Sequence, residues 1–320
     1  MTAEPSLVSV VIPTFNRADA VTRSIASADA QTYPNLEIIV VDDDSADDTV
    51  ARIEAMGTTR LLRVIRLAEN RGGSAARNAG IAAANGEFVA FLDSDDAWEP
   101  AKITRQVAAL EAAGPEYGAC YTAARFFDAS GRLTRVRPAT RDGSIRLDLL
   151  GLNLVGTTST VLVARRCLEQ AGPFDPAMPS CQDWDLWIRL AAVTRFAALN
   201  EPLVRYAVSA TGRITNNPRA RLTGHLRIYK KYMKAFHREN AAAKGQYCYV
   251  LGPILLQAGR RRAARRCLAA AWRADPLSAR RAVSLLWALA GFGFASYDRF
   301  QERMARVGNR IQRALGQVPS

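Results

Sequence analysis

The sequence predicts an α/β fold, a mostly parallel sheet flanked by helices and continued by a helical C-terminal region, on three observations. Four short apolar runs rich in β-branched residues recur within the first hundred positions, and segments of helical character separate them. Beyond about residue 215 the strand-like runs give way to helical, arginine-rich text. At 320 residues and 49% hydrophobic, the chain is long enough to bury a large core as one domain or two.

The first run, "LVSVVIP" (7–13), leads into "PTFNR" and a helical segment over Ala18–Ala30. The second, "LEIIVVD" (36–42), leads into "DDDS" and a helix over Asp47–Met56. The third, "LLRVIRL" (61–67), is followed by "ENRGG" and a helix over Ser74–Asn85; the fourth, "EFVAFLD" (87–93), by "DSDD". All four read as buried parallel strands joined by right-handed crossovers. Ligands of such sheets sit beyond the carboxyl ends of the strands, so the four polar clusters are expected to line one crevice.

The crevice has neither GxGxxG nor GxxxxGK[ST], so neither dinucleotide nor P-loop recognition is supported. On an extended backbone Asp93 and Asp95 of "DSD" would face the same side, an arrangement suited to a divalent ion on phosphate oxygens. A metal-bound diphosphate is the ligand these residues suggest.

"VSVVIPTFNR", "QTYPNLEIIVVDDDSADDT", "NRGGSAARNAG", "GEFVAFLDSDD" and "CQDWDLWIRLA" together resemble a family 2 glycosyltransferase of GT-A fold, over roughly residues 7–210. The resemblance implies a Rossmann-like nucleotide-binding half over residues 7–113 and an acceptor and catalytic-base half over 114–214, together a catalytic domain of residues 1–214. Residues 215–320 would form a basic helical C-terminal region. It implies an inverting transferase that uses an NDP-sugar, with UDP as the expected nucleotide. A non-catalytic nucleotide-sugar-binding or scaffold protein of the same fold is the alternative.

By the same resemblance Pro13, Thr14, Phe15, Asn16 and Arg17 would line the base and ribose, and Asp43 would accept from a uracil-type N–H. Asp44 stands where the family commonly has Gly, and the alternative for Asp42–Asp44 is an Asx turn capping the next helix. Asn70, Gly73 and Arg77 would meet donor phosphate or sugar, Arg77 by a charge-assisted contact at a helix start. Asp93 and Ser94 would contact the donor, and Asp95 would hold Mn2+ or Mg2+; Asp96 is expected to cap the turn.

In "PSCQDWDLWIRLAA" (179–192) the spacing of Trp184, Trp187, Ile188 and Ala191 predicts an inward helical face with Asp183 at its start. Asp183 is implied as the catalytic base. It is also a good N-terminal helix residue, with Ser180 placed as in a capping box. Asp185 reads as solvent-facing or structural. Many relatives carry a His after "EPLVRY" as a further metal ligand, whereas Ser209 stands near that place here.

Residues 117–137 read as two strands around an "ASG" turn, and "GTTSTVLVARRCLEQAGPFD" as a strand and helix. Arg135, Arg137 and Arg141 would meet an anionic acceptor or, as preferred from sequence alone, form a solvated loop. Residues 201–320 carry 23 of the 43 Lys and Arg but 5 of the 30 Asp and Glu, giving +18 there and −5 over residues 1–200. The uncharged stretch Ala282–Tyr297 beside arginine clusters suggests a helix in an interface or a bundle, and residues 257–320 an attachment to anionic lipid. The localisation expected is cytoplasmic, peripheral on the inner face of the membrane. The acceptor would be a glycan or a lipid-linked one, in bacterial surface polysaccharide synthesis by resemblance.

No nucleic-acid-binding motif is visible, so nucleic acid is not an expected partner. Five scattered cysteines without a CxxC pair argue against a disulfide framework or a structural zinc. "MTAEPSLVSVVIP" lacks the basic region and apolar length of a signal peptide.

Overall fold

The structure is a computed structural model that describes residues 4–208, 217–234 and 240–290. It divides into two compact units, residues 1–149 with 153–213, and residues 150–152 with 214–320.

The first unit opens with β1 (Val8–Thr14), α1 (Ala18–Asp29), β2 (Leu36–Asp42), α2 (Thr49–Glu54), β3 (Leu61–Arg66), α3 (Gly73–Ala83) and β4 (Phe88–Phe91). The four strands pair in parallel in the order β3-β2-β1-β4, as the alternation of apolar runs and helices predicts. Val8 lies opposite Leu36 and Thr14 opposite Asp42, so β1 and β2 end level. β1 and β2 are buried throughout, because helices cover both faces. β3 departs from the expectation of a buried strand: it is the sheet edge, and Leu61 at its start is exposed.

Past β4 the sheet turns mixed. It takes in β5 (Ala97–Trp98), then, after α4 (Lys102–Ala113), the long β6 (Tyr117–Phe127) and β7 (Leu133–Arg137). A short helix α5 (Arg146–Leu149) precedes β8 (Val161–Ala164), α6 (Arg165–Ala171), α7 (Gln182–Leu190) and β9 (Arg195–Ala207). The order continues β4-β8-β6-β9-β5, with β7 pairing β6 from outside that path. β6 and β7 are the two strands foreseen around "ASG". β9, which pairs in parallel with β6, has no antecedent in the apolar pattern, because exposed, half-buried and buried positions mix along it.

The opposite end of the sheet carries a buried structural network. Glu37 Oε1 accepts from Ser9 Oγ at 2.6 Å and Asn85 N at 2.8 Å, while Oε2 accepts from Arg63 Nη2 at 3.2 Å. Burial alone would raise its pKa, but these donors and the Arg63 charge leave it below the ordinary carboxylate value.

The second unit holds α8 (Pro218–Ile228), whose first amides are capped by Asn217, and a π-helical turn over Tyr229–Met233. It continues with α9 (Ala241–Gln257), α10 (Arg261–Ala274) and α11 (Ala279–Leu289). α9 and α10 pack closely: a Cβ on Gly252 would lie 2.5 Å from Leu268 Cδ2. Ala264, Leu268 and Ala271 form the buried stripe of α10. Among the described residues no helix is long and apolar enough to cross a membrane. Ser209 and the end of Ala282–Tyr297 lie outside the described residues.

Candidate functional site

The clusters after β1, β2 and β4 and before α3 meet in one place, tied together by hydrogen bonds across the crevice. Asn16 N donates to Ser45 Oγ at 2.8 Å, Ala46 N to Asn16 Oδ1 at 2.8 Å, and Arg17 N to Thr49 Oγ1 at 3.0 Å. Pro13 and Thr14 are buried within β1, whereas Phe15 is exposed beyond its end. Among the described residues, the non-glycine positions in the left-handed region are Asn16 (φ 48°), Asp44 (φ 66°) and Cys181 (φ 60°). Each flanks a site residue, Arg17, Asp43 and the Gln182-Asp183 pair, and such conformations persist where surrounding contacts over-determine them. The φ of Asp44 also explains why glycine suits that position.

Asp43 is almost fully buried, and its oxygens accept from the backbone N–H groups of Arg71 (2.8 Å) and Gly72 (2.7 Å). The "ENRGG" amides that favour an anion are therefore held, in part, by the protein's own carboxylate. Asp43 keeps unused lone pairs for a further donor. The Asx turn proves real: Asp42 Oδ2 accepts from Ser45 N at 3.1 Å, while Asp47 rather than Asp42–Asp44 serves the start of α2, accepting from Thr49 N at 3.0 Å. Asn70 is exposed at the mouth of this loop, and Gly73 lies under the Arg77 guanidinium.

"DSDD" is a turn rather than an extension of β4, with Asp96 N donating to Asp93 O at 2.9 Å. The expectation that Asp93 and Asp95 share a side by strand alternation fails for that reason, since β4 ends at Phe91. The two carboxylates instead meet different arginines. Asp95 pairs with Arg17 at 2.7 Å and Asp93 with Arg77 at 2.6 Å. Thr158 Oγ1 adds a 2.8 Å bond to Asp93, and the Arg77 guanidinium lies 5.6 Å from the Phe174 ring centre. Ser94 is buried in the turn. Asp96 is buried and structural: it accepts from Ser159 Oγ at 2.7 Å and from Ala207 N at 3.3 Å, bolting the turn to the end of β9.

Asp183 stands in the first turn of α7, which Cys181 opens without any side-chain cap. The helix N-cap is Cys181 rather than Ser180, whose Oγ lies 3.6 Å from Cys181 Sγ. Trp184, Trp187 and Ile188 are buried as the helical spacing predicts, with Trp184 Nε1 donating to Leu149 O and Trp187 Nε1 to Gly156 O. Asp183 Oδ1 accepts from Trp184 N at 2.8 Å and Oδ2 from Asn153 Nδ2 at 3.2 Å. Its pKa is raised above the ordinary aspartate value: burial outweighs these two bonds and the Arg77 charge, and the Asp93 charge adds to the rise. A carboxylate so placed is a stronger base than a solvated one. Asp185 is fully buried and paired with Arg189 at 2.9 Å, so the structural reading holds and the solvent-facing one does not.

Sequence reasoning missed the hydroxyl run Thr157–Ser159 and Asn153. Ser159 Oγ also accepts from Asp93 N at 3.1 Å, and Trp98 Nε1 donates to Ser159 O, so this segment is the frame of the acidic turn. The run "GTTST" directly before a β-branched strand was its available signal. Of the three arginines read as a solvated loop, Arg141 fits, exposed and 3.7 Å from Asp148, and Arg135 is exposed but lies in β7. The reading fails for Arg137, whose guanidinium is half-buried and donates to Asn153 O.

No group of three or more His, Cys, Asp or Glu suited to a metal is present among the described residues. The donor set still suits a hard divalent ion in one respect: Asp95 already holds a cation, the Arg17 guanidinium, on a carboxylate whose hard oxygens match Mg2+ or Mn2+.

Residues 9–169 match the family model described as Glycosyl transferase family 2. An "Uncharacterized glycosyltransferase" of Rickettsia bellii (strain RML369-C) is 31% identical over 194 residues, covering 58% of this chain and 28% of that protein. The UDP-Glc:alpha-D-GlcNAc-diphosphoundecaprenol beta-1,3-glucosyltransferase WfaP of Escherichia coli is 40% identical over 105 residues, 33% of this chain and 41% of that one. The chain thus spans well under half the length of these relatives. The mannosyltransferase PcManGT from Pyrobaculum calidifontis, in complex with GDP-Man and Mn2+, superposes with a TM-score of 0.60 at 22% identity, covering 96% of this chain and 88% of that one.

Proposed function

This chain belongs to glycosyl transferase family 2 and has its GT-A-type fold, and we propose that it transfers a sugar from a UDP-sugar, with inversion, to a hydroxyl of a glycan or lipid-linked acceptor. Synthesis of a bacterial surface polysaccharide is the proposed setting, and the diphosphoundecaprenol-linked acceptor in WfaP's name supports a lipid-linked acceptor. The observation that carries the reading is a raised-pKa carboxylate, Asp183, placed where the charges of Arg77 and Asp93 act on it, beside an acidic turn and the β1 and β2 loops. Pro13, Thr14, Phe15, Asn16 and Asp43 receive the nucleoside, with the exposed Phe15 ring offered to the base. Asn70, Gly73, Arg77, Asp93 and Ser94 orient the diphosphate and the sugar.

Asp95 would hold a divalent ion, Mn2+ or Mg2+, with diphosphate and water completing its ligands, and such an ion offsets charge on the leaving diphosphate. Release of Asp95 from Arg17 frees a guanidinium for the phosphate oxygens. Asp183 takes the proton from the acceptor hydroxyl as that oxygen attacks the anomeric carbon from the face opposite the leaving diphosphate. Asn153 and the Trp184 amide hold the carboxylate in line.

The basic second unit is proposed to attach peripherally to anionic lipid. Arg260, Arg261, Arg262 and Arg266 gather around one surface hollow at the start of α10, and Leu277 beyond its end is 97% exposed. Binding of the full chain to phosphatidylglycerol vesicles but not to neutral ones is the expected result; equal binding to both would remove this part.

The transferase reading is tested by a panel of NDP-sugars, followed by ligand-observed NMR and by release of free nucleotide. Saturable binding of a UDP-sugar, with turnover abolished in Asp183→Asn, is expected. Binding without turnover in the unaltered protein under any metal would overturn the assignment of a catalyst.

A further inference from the structure

We propose that Arg135 and Arg137 form a subsite for a phosphate group of the acceptor, so that the hydroxyl presented to Asp183 belongs to a phosphorylated substrate. The inference rests on the transferase reading and adds to it the chemical class of the acceptor. β7 pairs with β6 along one edge, and its other edge has no strand partner among the described residues. Residues two apart on a strand face the same way, and the two guanidinium groups are close enough to act on each other.

Arg135 lies over the Phe126 ring at 4.0 Å, and that ring is 4.6 Å from the ring of Tyr206. Arg137 donates to Asn153 O and rests on the backbone of Gly156, where φ is +91° and an added Cβ would come within 2.3 Å of Nη1. Asn153 in turn donates to Asp183 Oδ2 at 3.2 Å. The Arg137 guanidinium is therefore one residue removed from the base, connected through Asn153.

Among the described residues, the pair lacks the close carboxylates that several arginines of this unit have. In the same unit Arg17, Arg77, Arg105, Arg125, Arg189 and Arg195 each sit within 3.3 Å of a carboxylate. Arg135 and Arg137 have no carboxylate at ion-pair distance among the described residues, although burial depresses the pKa of both and the Arg135 charge further disfavours that of Arg137, which the more distant Asp183 charge favours. Two cations on one face, Arg135 exposed and Arg137 half-buried, lack a carboxylate at ion-pair distance, whose place an arriving phosphate would take, and two guanidinium forks match its oxygens. The Phe126 and Tyr206 rings beside them offer the apolar face on which a sugar ring or the first carbons of a lipid would rest.

The phosphate can be that of a lipid-linked diphosphate or of a soluble phosphorylated sugar, and the test separates them. Full-length protein saturated with UDP is titrated by calorimetry with geranyl diphosphate, with glucose 1-phosphate and with neutral octyl glucoside. We expect one of the two phosphates to bind, tighter geranyl diphosphate identifying a lipid-linked acceptor and tighter glucose 1-phosphate a soluble one. Affinity for the bound phosphate should fall at least tenfold in Arg135→Gln and further in Arg135→Gln/Arg137→Gln, with UDP affinity and octyl glucoside binding unchanged. Arg135→Gln leaves the Asn153 contact intact, so its effect reads charge rather than folding. Equal phosphate affinity in wild type and variants, no phosphate binding at all, or parallel loss of UDP affinity would overturn the subsite. Failure of the unaltered protein to bind UDP would instead sink the donor reading, and this inference with it.

Discussion

The donor side and the base side of the first unit treat charge in opposite ways. On the donor side two acids of the turn have arginines of their own, Arg17 for Asp95 and Arg77 for Asp93, and hydroxyls of Thr158 and Ser159 supply further donors to Asp93 and Asp96. On the base side Asp183 has two neutral donors and no ion pair among the described residues, while Arg135 and Arg137 stand without carboxylates. The contrast suits the two tasks. A turn that must receive a diphosphate, and an ion, has Asp93 and Asp95 each paired until they arrive, whereas a base must stay poorly solvated and unpaired to accept a proton.

Substitution of the base should break the comparison most visibly. Asp183→Asn is expected to lower kcat by roughly 10²–10⁴, the usual range for a general base, with donor Kd within twofold. Steady-state kinetics beside UDP titration checks this, and a fall in donor affinity matching that in kcat would move Asp183 to the donor side. Next comes the exchange at Asp95. In the absence of donor, Arg17→Gln should raise Mn2+ affinity by roughly tenfold, the scale of a partly buried charge pair, read by electron paramagnetic resonance of free Mn2+. Unchanged Mn2+ affinity would mean that Arg17 does not compete for this carboxylate.

Asn153→Ala removes a bond that lowers the pKa of Asp183, so the acid limb of the kcat profile should move to higher pH as kcat falls by roughly tenfold. A change in kcat without movement of the limb would make Asn153 structural alone. Ser159→Ala should cost about 1–3 kcal/mol of stability in urea melts, because Asp96 and the Asp93 amide both lose a buried partner.

A further effect lies in the core of the first unit, away from the reacting groups. Lys102 is fully buried, hydrogen-bonded to Gln106 at 2.6 Å, and burial lowers its pKa to about 7. The unfolded chain then binds the extra proton between about pH 7 and the free-lysine value of about 10.4, so stability should rise with pH across that window. Lys102→Met should flatten this rise, and an unchanged slope in denaturant titrations at several pH values would refute the origin assigned to it.

What could be read from the sequence follows what is local. β1 and β2 announced themselves because both faces are buried and their residues are uniformly apolar, and α7 because Trp184, Trp187 and Ile188 repeat at helical spacing. β3 reads as buried from its apolar letters, which do not show that it lies at the sheet edge with only its middle residues half-buried. β9 escaped because its neighbours are supplied by β6 and β5, far away in sequence. At the site, the carboxylates were identifiable and their partners were not. Arg17 meets Asp95 from 78 positions away and Asn153 meets Asp183 from 30, separations that no periodicity encodes. The same gap hid Arg137, which reads as one more surface arginine until Gly156 and Asn153 are seen beneath it.

The pH dependence of kcat/KM for a UDP-sugar that turns over tests the assignment of Asp183 most directly, because one curve reports both the base and its surroundings. An acid limb with its midpoint above the ordinary aspartate value of about 3.9, absent from the residual activity of Asp183→Asn, is the expected result. A limb at or below that value, or one that Asp183→Asn retains, would contradict the assignment.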